Sequence, residues 1–489
     1  MQRCNFSGGM YRPLSDEQIR MIHEASLIIL EKTGITFEKG LEGTLELLKK
    51  AGAEVDTKLS RIKFPRELVM DQVGRAPERV VLYSRDGENN LDLTEDQVYM
   101  GTGGAAIKIL DIETGQARES TLLDLYLLGR LVDQLDNIHF FLRPCIPLDI
   151  SPQTYDVNIF YACFRATSKH VMAGVNDEKG FRSALEIASI LAGNKEKVIK
   201  KPFFSIITSF AISPLKLSTK PTLIMQEACR NYIPVALSSA PAAGSTAPVT
   251  MAGTLALLHA EEMAGITICQ LTSPEAPLLY GGIPGAADLQ SMGYMGGAIE
   301  CGMMNAAIHQ LARHIKVPNY NSSGLTDSKI PDAQAGWEKA LSSVLAAMGG
   351  SNYVHHAAGM LESMLTVAYE QFVIDDEIIG MCRRVLRGID VDPEHLALDA
   401  IDEVGPGGNF MMSPHTLAHM HKEFFIGNGV SDRNIRKRWE EAGSLDARTR
   451  ARAIARKLIS GNHRSYIPGN VDRVIRDKFS ILLEDAVCV

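Results

Sequence analysis

Pro277-Leu-Leu-Tyr-Gly-Gly-Ile283, a helical-period segment over 295–314, and then Val317-Pro-Asn-Tyr-Asn-Ser-Ser323 form the unit that decides the fold. Each quoted run is short, apolar and bounded by Gly, Pro, Ser or Asn, which reads as a buried strand. A strand, a long helix and a second strand require a right-handed parallel crossover. The same unit recurs outward in both directions. Strand-like runs stand at Val98–Gly103, Ile138–Arg143, His170–Asn176, Phe203–Phe210, Tyr232–Ser239 and Tyr353–Gly359. Helical segments follow the runs near 121–135, 153–167, 178–192, 219–230, 249–268, 295–314, 332–349 and 368–388. Eight β-then-α units are the number that closes a (β/α)8 TIM barrel in an α/β chain. An open doubly wound sheet would want G-x-G-x-x-G between strand and helix. The nearest match, Gly101-Thr-Gly-Gly104, runs into Ala105–Asp111 and Gly115, which reads as a hairpin insertion.

The barrel occupies 97–390, with an N-terminal helical extension over 1–96 and a C-terminal helical extension over 391–489. Ser15 and Gln18 make a capping-box pattern ahead of Ile19, Ile22, Ala25, Ile28 and Ile29, and Gly34 ends that helix. A second helix spans about Leu41–Lys50, and a third follows Pro65. Such short helices are expected to pack outside the barrel. Asp392-Pro393 opens the tail, with helices near 414–424, 432–442 and 446–459 that dock on the barrel exterior or on another subunit.

Composition narrows the function. The 489 residues carry 50 Lys+Arg against 58 Asp+Glu, net −8, with no basic run, which argues against a nucleic-acid partner. Nothing approaches the ~18 uninterrupted apolar residues of a membrane helix. Met1–Met10 lacks the order of a secretory signal. The eight cysteines are scattered without a C-x-x-C pair, so reduced core thiols and a cytoplasmic location are expected.

Of the 41 glycines, a group stands at the C-terminal strand ends: Gly101, Gly103 and Gly104, then Gly174, Gly244, Gly281, Gly282, Gly285, Gly324 and Gly359. They read as tight turns or as a roomy mouth. Side chains at that level offer no metal-ligand set. His355-His356 is the imidazole pair there, and strand alternation would turn one of the two inward. His415, His419 and His421 include an i, i+4 pair able to hold zinc, but a third ligand is not in register, so a solvated or interface helix is expected. Lys329 lies in a polar loop after its strand, and paired acids for proton transfer are not evident. No metal and no tightly bound cofactor is expected.

At the seventh and eighth units the sequence resembles the trimethylamine methyltransferase family. The resemblance rests on Gly324-Leu-Thr-Asp-Ser-Lys-Ile-Pro-Asp-Ala-Gln-Ala-Gly-Trp-Glu-Lys339, Tyr280-Gly-Gly-Ile-Pro284, Met360-Leu-Glu-Ser with Glu370-Gln371, and Ser413-Pro-His-Thr-Leu-Ala-His419. It runs to Tyr466-Ile-Pro near the end. It implies a barrel that moves methyl groups from an amine to the cobalt of a separate corrinoid protein. Trimethylamine enzymes carry pyrrolysine just before this run; here the stretch is Asn321-Ser-Ser-Gly-Leu325, with Gly324 or Leu325 at the equivalent place. The non-pyrrolysine branch is similar to methyltransferases of quaternary amines: glycine betaine foremost, then proline betaine or carnitine. Such a substrate already carries the positive charge that makes its leaving group a neutral amine.

The resemblance implies a site that positions substrate and excludes water. Tyr99, Tyr280, Tyr320 and Tyr353 are the candidates for a cation cage, each contact contributing ~0.5–2 kcal/mol. Arg143, His355 and His356 are candidate donors to a substrate carboxylate, with Asn321 and Leu325 beside them. Gly101, Gly103, Gly281, Gly282 and Gly324 are expected to face the corrin (cobalamin) ring of the partner. The other implied partners are the quaternary amine itself and further copies of the chain in a homo-oligomer. Tyr280→Ala is expected to raise the Michaelis constant for betaine. A metal-dependent barrel lyase or hydrolase, and a non-catalytic quaternary-ammonium binding protein, are the competing readings.

Overall fold

The structure, a computed structural model, describes residues 7–291, 293–461 and 464–484. Strands β1 (Tyr99–Thr102), β2 (Phe141–Leu142), β3 (Val171–Ala173), β4 (Phe204–Thr208), β5 (Val235–Leu237), β6 (Leu278–Gly282), β7 (Asn319–Ser322) and β8 (Tyr353–Ala358) form one eight-stranded sheet. Neighbours from β2 through β8 pair parallel in chain order, and β8 pairs with β1. The seam between β1 and β2 is joined by His139 N donating to Met100 O at 2.9 Å and by Thr102 Oγ1 donating to Leu142 O at 2.6 Å. The barrel expected from the alternation is present.

Helices α1 (Leu122–Asp133), α2 (Tyr155–Ala166), α3 (Glu178–Ala192), α4 (Thr219–Arg230), α5 (Met251–Thr272), α6 (Ile299–His314), α7 (Ala333–Gly349) and α8 (Tyr369–Arg387) surround it. Their starts follow local chemistry. Thr121 and Asp124 form a capping box at α1, and the Asp177 and Asp332 side chains accept from the first turns of α3 and α7. α5 is apolar nearly all round because both sides are covered: its inner side by the barrel, its outer side by the helix Asp16–Ile28. Ser26 Oγ of that outer helix donates to Ala256 O at 2.8 Å.

The first 96 residues are less helical than their sequence suggests. Besides helices at Asp16–Ile28, Glu42–Lys50 and Arg66–Val73, they hold short strands at Ile35–Phe37, Glu54–Asp56, Arg61–Lys63, Val80–Leu82 and Leu91–Leu93. Three-residue strands are too short to declare a period. The last two form a hairpin whose Val80, Leu82, Leu91 and Leu93 pack with Phe140, Met172, Ala236 and Leu279 inside the barrel. That hairpin plugs the N-terminal end.

In the tail, helix Ala447–Ser460 docks on α8, where Arg448 and Arg452 both reach the fully buried Glu370, at 3.1 and 2.9 Å. Helix Gly469–Lys478 docks on α2 through Asp472, 3.2 Å from Arg165. Cys145, Cys163, Cys229, Cys269, Cys301 and Cys382 are buried free thiols; Cys4 and Cys488 lie outside the described residues. Among the described residues no helix is long and apolar enough to cross a membrane.

Candidate active site

Register fixes which side chains face the barrel axis, since in-register partners share a face and successive residues alternate. Gly281 pairs with Tyr320, and Tyr320 with Tyr353, while Ala236 pairs with Leu279. Tyr320 and Tyr353 lie with Ala236 and Leu279 in the apolar cluster that fills the barrel. Tyr99, on the same face, has its hydroxyl 3.2 Å from Asp92 N of the plugging hairpin. The Tyr353 ring stacks on Phe140 at 3.6 Å and 13°. Tyr99 and Tyr353 therefore build the closed lower barrel, and Tyr320 is the tyrosine that meets the polar groups above.

Those groups come from β5, β7 and β8. Alternation predicts one inward imidazole; the structure brings both together. β8 slips register between Val354 and Ala358, and His356 adopts φ +65°. This local bulge turns His356 back onto His355, so the rings stack at 3.9 Å and 30°. His356 Nδ1 lies 2.7 Å from Ser322 Oγ, and His355 meets the Tyr320 ring at 5.0 Å. Burial pushes both imidazoles down, His356 to about 3, so both are neutral near pH 7. Both His355 nitrogens are buried without a hydrogen-bond partner, and Tyr320 Oη is within reach of Ser238 Oγ. Buried polar atoms are almost always paired, so such orphans mark where a ligand or water completes the site.

One further orphan was invisible in the sequence. Glu262, in the middle of α5, reads there as another helical residue. It is fully buried; its Oε2 accepts from Gly281 N at 3.1 Å, and its Oε1 has no partner. No motif marks it, because the contact joins α5 to β6 across the layer between helices and sheet.

Several expected site residues point elsewhere. Tyr280 alternates outward, and its hydroxyl bonds His259 Nδ1 of α5 at 2.8 Å. Asn321 also faces the helices, donating to Asn305 O at 3.0 Å and to Ser351 Oγ. Arg143 turns toward α2, where its Nη1 lies 3.3 Å from Tyr155 Oη. The glycines do not leave open space for a ring. A Cβ on Gly101 would lie 2.6 Å from the Phe140 ring, and one on Gly103 would lie 2.9 Å from His356 N. At Gly281, Gly282 and Gly324 it would strike backbone of Tyr320, Ser239 and Ala357. They are needed for close packing. Apolar side chains on the loops after the strands form the rim instead: Ile107, Leu148, Ile212, Val249, Leu289 and Leu365 are each at least 39% exposed.

The signature run after β7 is a scaffold. Lys339 Nζ, fully buried, donates to the Gly324 carbonyl and pairs with Asp375 Oδ2 at 3.2 Å. Glu338 accepts from Thr326 Oγ1 at 2.5 Å and Asp327 N at 2.9 Å. Burial lowers the Lys339 pKa and pushes Asp375 up to about 6. Leu325 is buried in the apolar core between barrel and helices. Lys329 Nζ stays at the surface on Asp327 O. His415 and His419 stack at 4.4 Å on the tail, and the Asp390, His395 and Glu423 group capable of sharing an ion lies there too. Glu423 is already held by Arg384 and Arg387 at 3.1 and 3.2 Å.

The chain is a (β/α)8 barrel with a neutral polar cluster and an apolar rim at the C-terminal ends of its strands, the end at which enzymes of this fold class hold their sites. The chain belongs to the trimethylamine methyltransferase (MTTB) family, whose profile matches residues 5–480. It is 35% identical to trimethylamine methyltransferase MttB of Desulfitobacterium hafniense (strain DSM 10664 / DCB-2), over 94% of this chain and 92% of that one. It is 32% identical to the glycine betaine methyltransferase of Desulfitobacterium hafniense (strain Y51), over 97% and 96%. The Methanosarcina barkeri monomethylamine methyltransferase (MtmB) shares the fold, with a TM-score of 0.51 at 11% identity over 90% of this chain and 91% of that one.

Proposed function

We propose that this chain takes a methyl group from a quaternary amine, glycine betaine foremost and proline betaine or carnitine next, and passes it to the Co(I) corrinoid of a partner protein. The observation that carries this reading is the end of β7. Relatives named for trimethylamine and for glycine betaine are about equally similar, so overall identity does not choose between them. The residues do. Gly324 and Leu325 stand where the resemblance places pyrrolysine, one held by its carbonyl to Lys339 and the other buried. Neither can activate a neutral amine, and a quaternary amine needs no such activation.

The methyl carbon is attacked in line by Co(I), so the protein contributes orientation and a dry cavity. Tyr320 offers one aromatic face to the ammonium, and the neutral His355 offers an N–H to the substrate carboxylate. A modest cage suits the chemistry, because positive charge leaves nitrogen as the methyl departs. The apolar rim fits a protein partner that brings the corrinoid to the mouth. Buried unpaired thiols support a reducing, cytoplasmic setting. Exposed apolar residues of the tail, including Ile389, Val391, Met411, Met412 and Phe424, support a homo-oligomer. The test mixes the chain with cob(I)alamin or a reduced corrinoid protein and a panel of betaines. Growth of the methyl-Co(III) spectrum with a quaternary amine is expected; spectra unchanged across the panel overturn the reading.

A further inference from the structure

Glu262 interrupts the ladder between β5 and β6. These strands pair at Val235–Leu278 and Ala236–Leu279 and bridge again at Ser239–Gly282. Between those points Gly281 N donates to the Glu262 carboxyl, and the Ser239 backbone N–H acts on the same group. A side chain from α5 thus stands in for a rung of the barrel wall, at the level of Tyr320, which pairs with Gly281. The other carboxyl oxygen of Glu262, Oε1, is buried without a partner. We propose that Glu262 is the acid that protonates the tertiary amine released when the methyl group leaves.

The assignment rests on the quaternary-amine reading of this site. As methyl transfer proceeds, the C–N bond breaks and its electron pair becomes the lone pair of the amine. The methyl carbon bonds to cobalt through the Co(I) electron pair. The O–H bond of Glu262 then breaks, and its proton goes to that lone pair, leaving a carboxylate and an ammonium. The two backbone N–H groups stabilise the carboxylate so formed. Water restores the proton after product leaves.

The neighbours of Glu262 suit the role. Glu261 beside it is engaged with Ser213 Oγ and Leu215 N at 2.7 Å and with Ser239 Oγ. Tyr280 and Tyr320 are fully buried, and His259 is held neutral by burial. Among the described residues, the charged neighbour that acts on Glu262 is Glu261. Burial, with Glu261 alongside, pushes its carboxyl well above the usual range, so it is protonated at neutral pH. A neutral acid does not grip the ammonium of the bound substrate. It gains its interaction only as nitrogen loses the methyl, which favours the transition state over the ground state.

The test compares the full-length chain with Glu262→Gln, which keeps an acceptor for both N–H groups but has no proton to give. With cob(I)alamin and glycine betaine, the variant is expected to keep KM within about twofold and to lose about 100-fold in kcat. Wild-type kcat should fall at alkaline pH as the carboxyl ionises, and the variant should not show that limb. Equal kcat and equal pH profiles in the two proteins overturn the assignment alone. A wild-type chain that demethylates no betaine overturns both it and the reading it rests on. Independently of turnover, the infrared difference between wild type and Glu262→Gln should contain a carboxylic-acid C=O band that shifts on adding N,N-dimethylglycine. Absence of that band also overturns it.

Discussion

Tyr280 and Tyr320 show what one step along a strand does. Both end an apolar run, yet Tyr320 faces the mouth and Tyr280 faces α5 through His259. Tyr280→Ala should therefore leave the betaine KM unchanged and destabilise the fold by about 3–5 kcal/mol, the range for a buried aromatic. Urea denaturation and steady-state kinetics separate the two; a raised KM at unchanged stability would return this tyrosine to the site. Lys339→Met strands a buried Asp375 and should cost about 3–5 kcal/mol, while adding Asp375→Leu should recover part of it. A double variant no more stable than the single one would show that the pair is not what holds the Gly324 loop.

At the scale of elements, α8 and the tail helix Ala447–Ser460 share one charge. Glu370, fully buried, is the acid on which Arg448 and Arg452 converge. Glu370→Gln removes the charge from both contacts and should loosen that helix more than the barrel strands. Hydrogen exchange would show faster amides in 447–460 with β1–β8 unchanged; uniform acceleration would instead mean a global loss of stability. The bulge in β8 likewise depends on how two elements pair. The residues His355-His356 carry no sign of it, since a two-residue alternation is the default for any strand. With it, His356 meets Ser322 on the neighbouring strand, a contact between residues 34 apart in the chain.

Over the whole molecule, acid should destabilise the fold through buried imidazoles. His23 and His170 are lowered to about 4 and His356 to about 3, chiefly by burial. These groups stay neutral in the fold while the unfolded chain takes up protons near pH 6.5, so stability is lost as pH falls from about 6.5 toward 4. His170 alone, fully buried, contributes about 3 kcal/mol. Asp156 and Asp375, raised to about 6, act oppositely and regain stability as pH falls through 6 toward 4. The urea midpoint should drop first between pH 7 and 6 and more slowly below; a midpoint flat to pH 5 would contradict this balance. The exposed apolar side chains of the tail give a separate expectation. Light scattering should find an oligomer that Val391→Glu with Phe424→Glu shifts toward monomer; an unaltered mass would place the interface elsewhere.

The barrel is legible before folding, because eight alternating strand and helix patterns admit few parallel topologies and each pattern is local. The Ser15–Gln18 cap and the tail helices near 414–424, 432–442 and 446–459 were legible too, because their signals are local. The signature run instead acts at longer range, through Lys339 on Gly324 and Asp375. The site becomes readable only in the folded chain. Whether Tyr280, Asn321 and Arg143 point in or out depends on strand register, and register is set by partners far along the chain. The plugging hairpin, the paired imidazoles and Glu262 in the β5–β6 ladder all join segments distant in sequence. Their physical basis is burial, which makes an unpartnered polar atom costly and so gives it meaning, and burial exists only once the chain has folded.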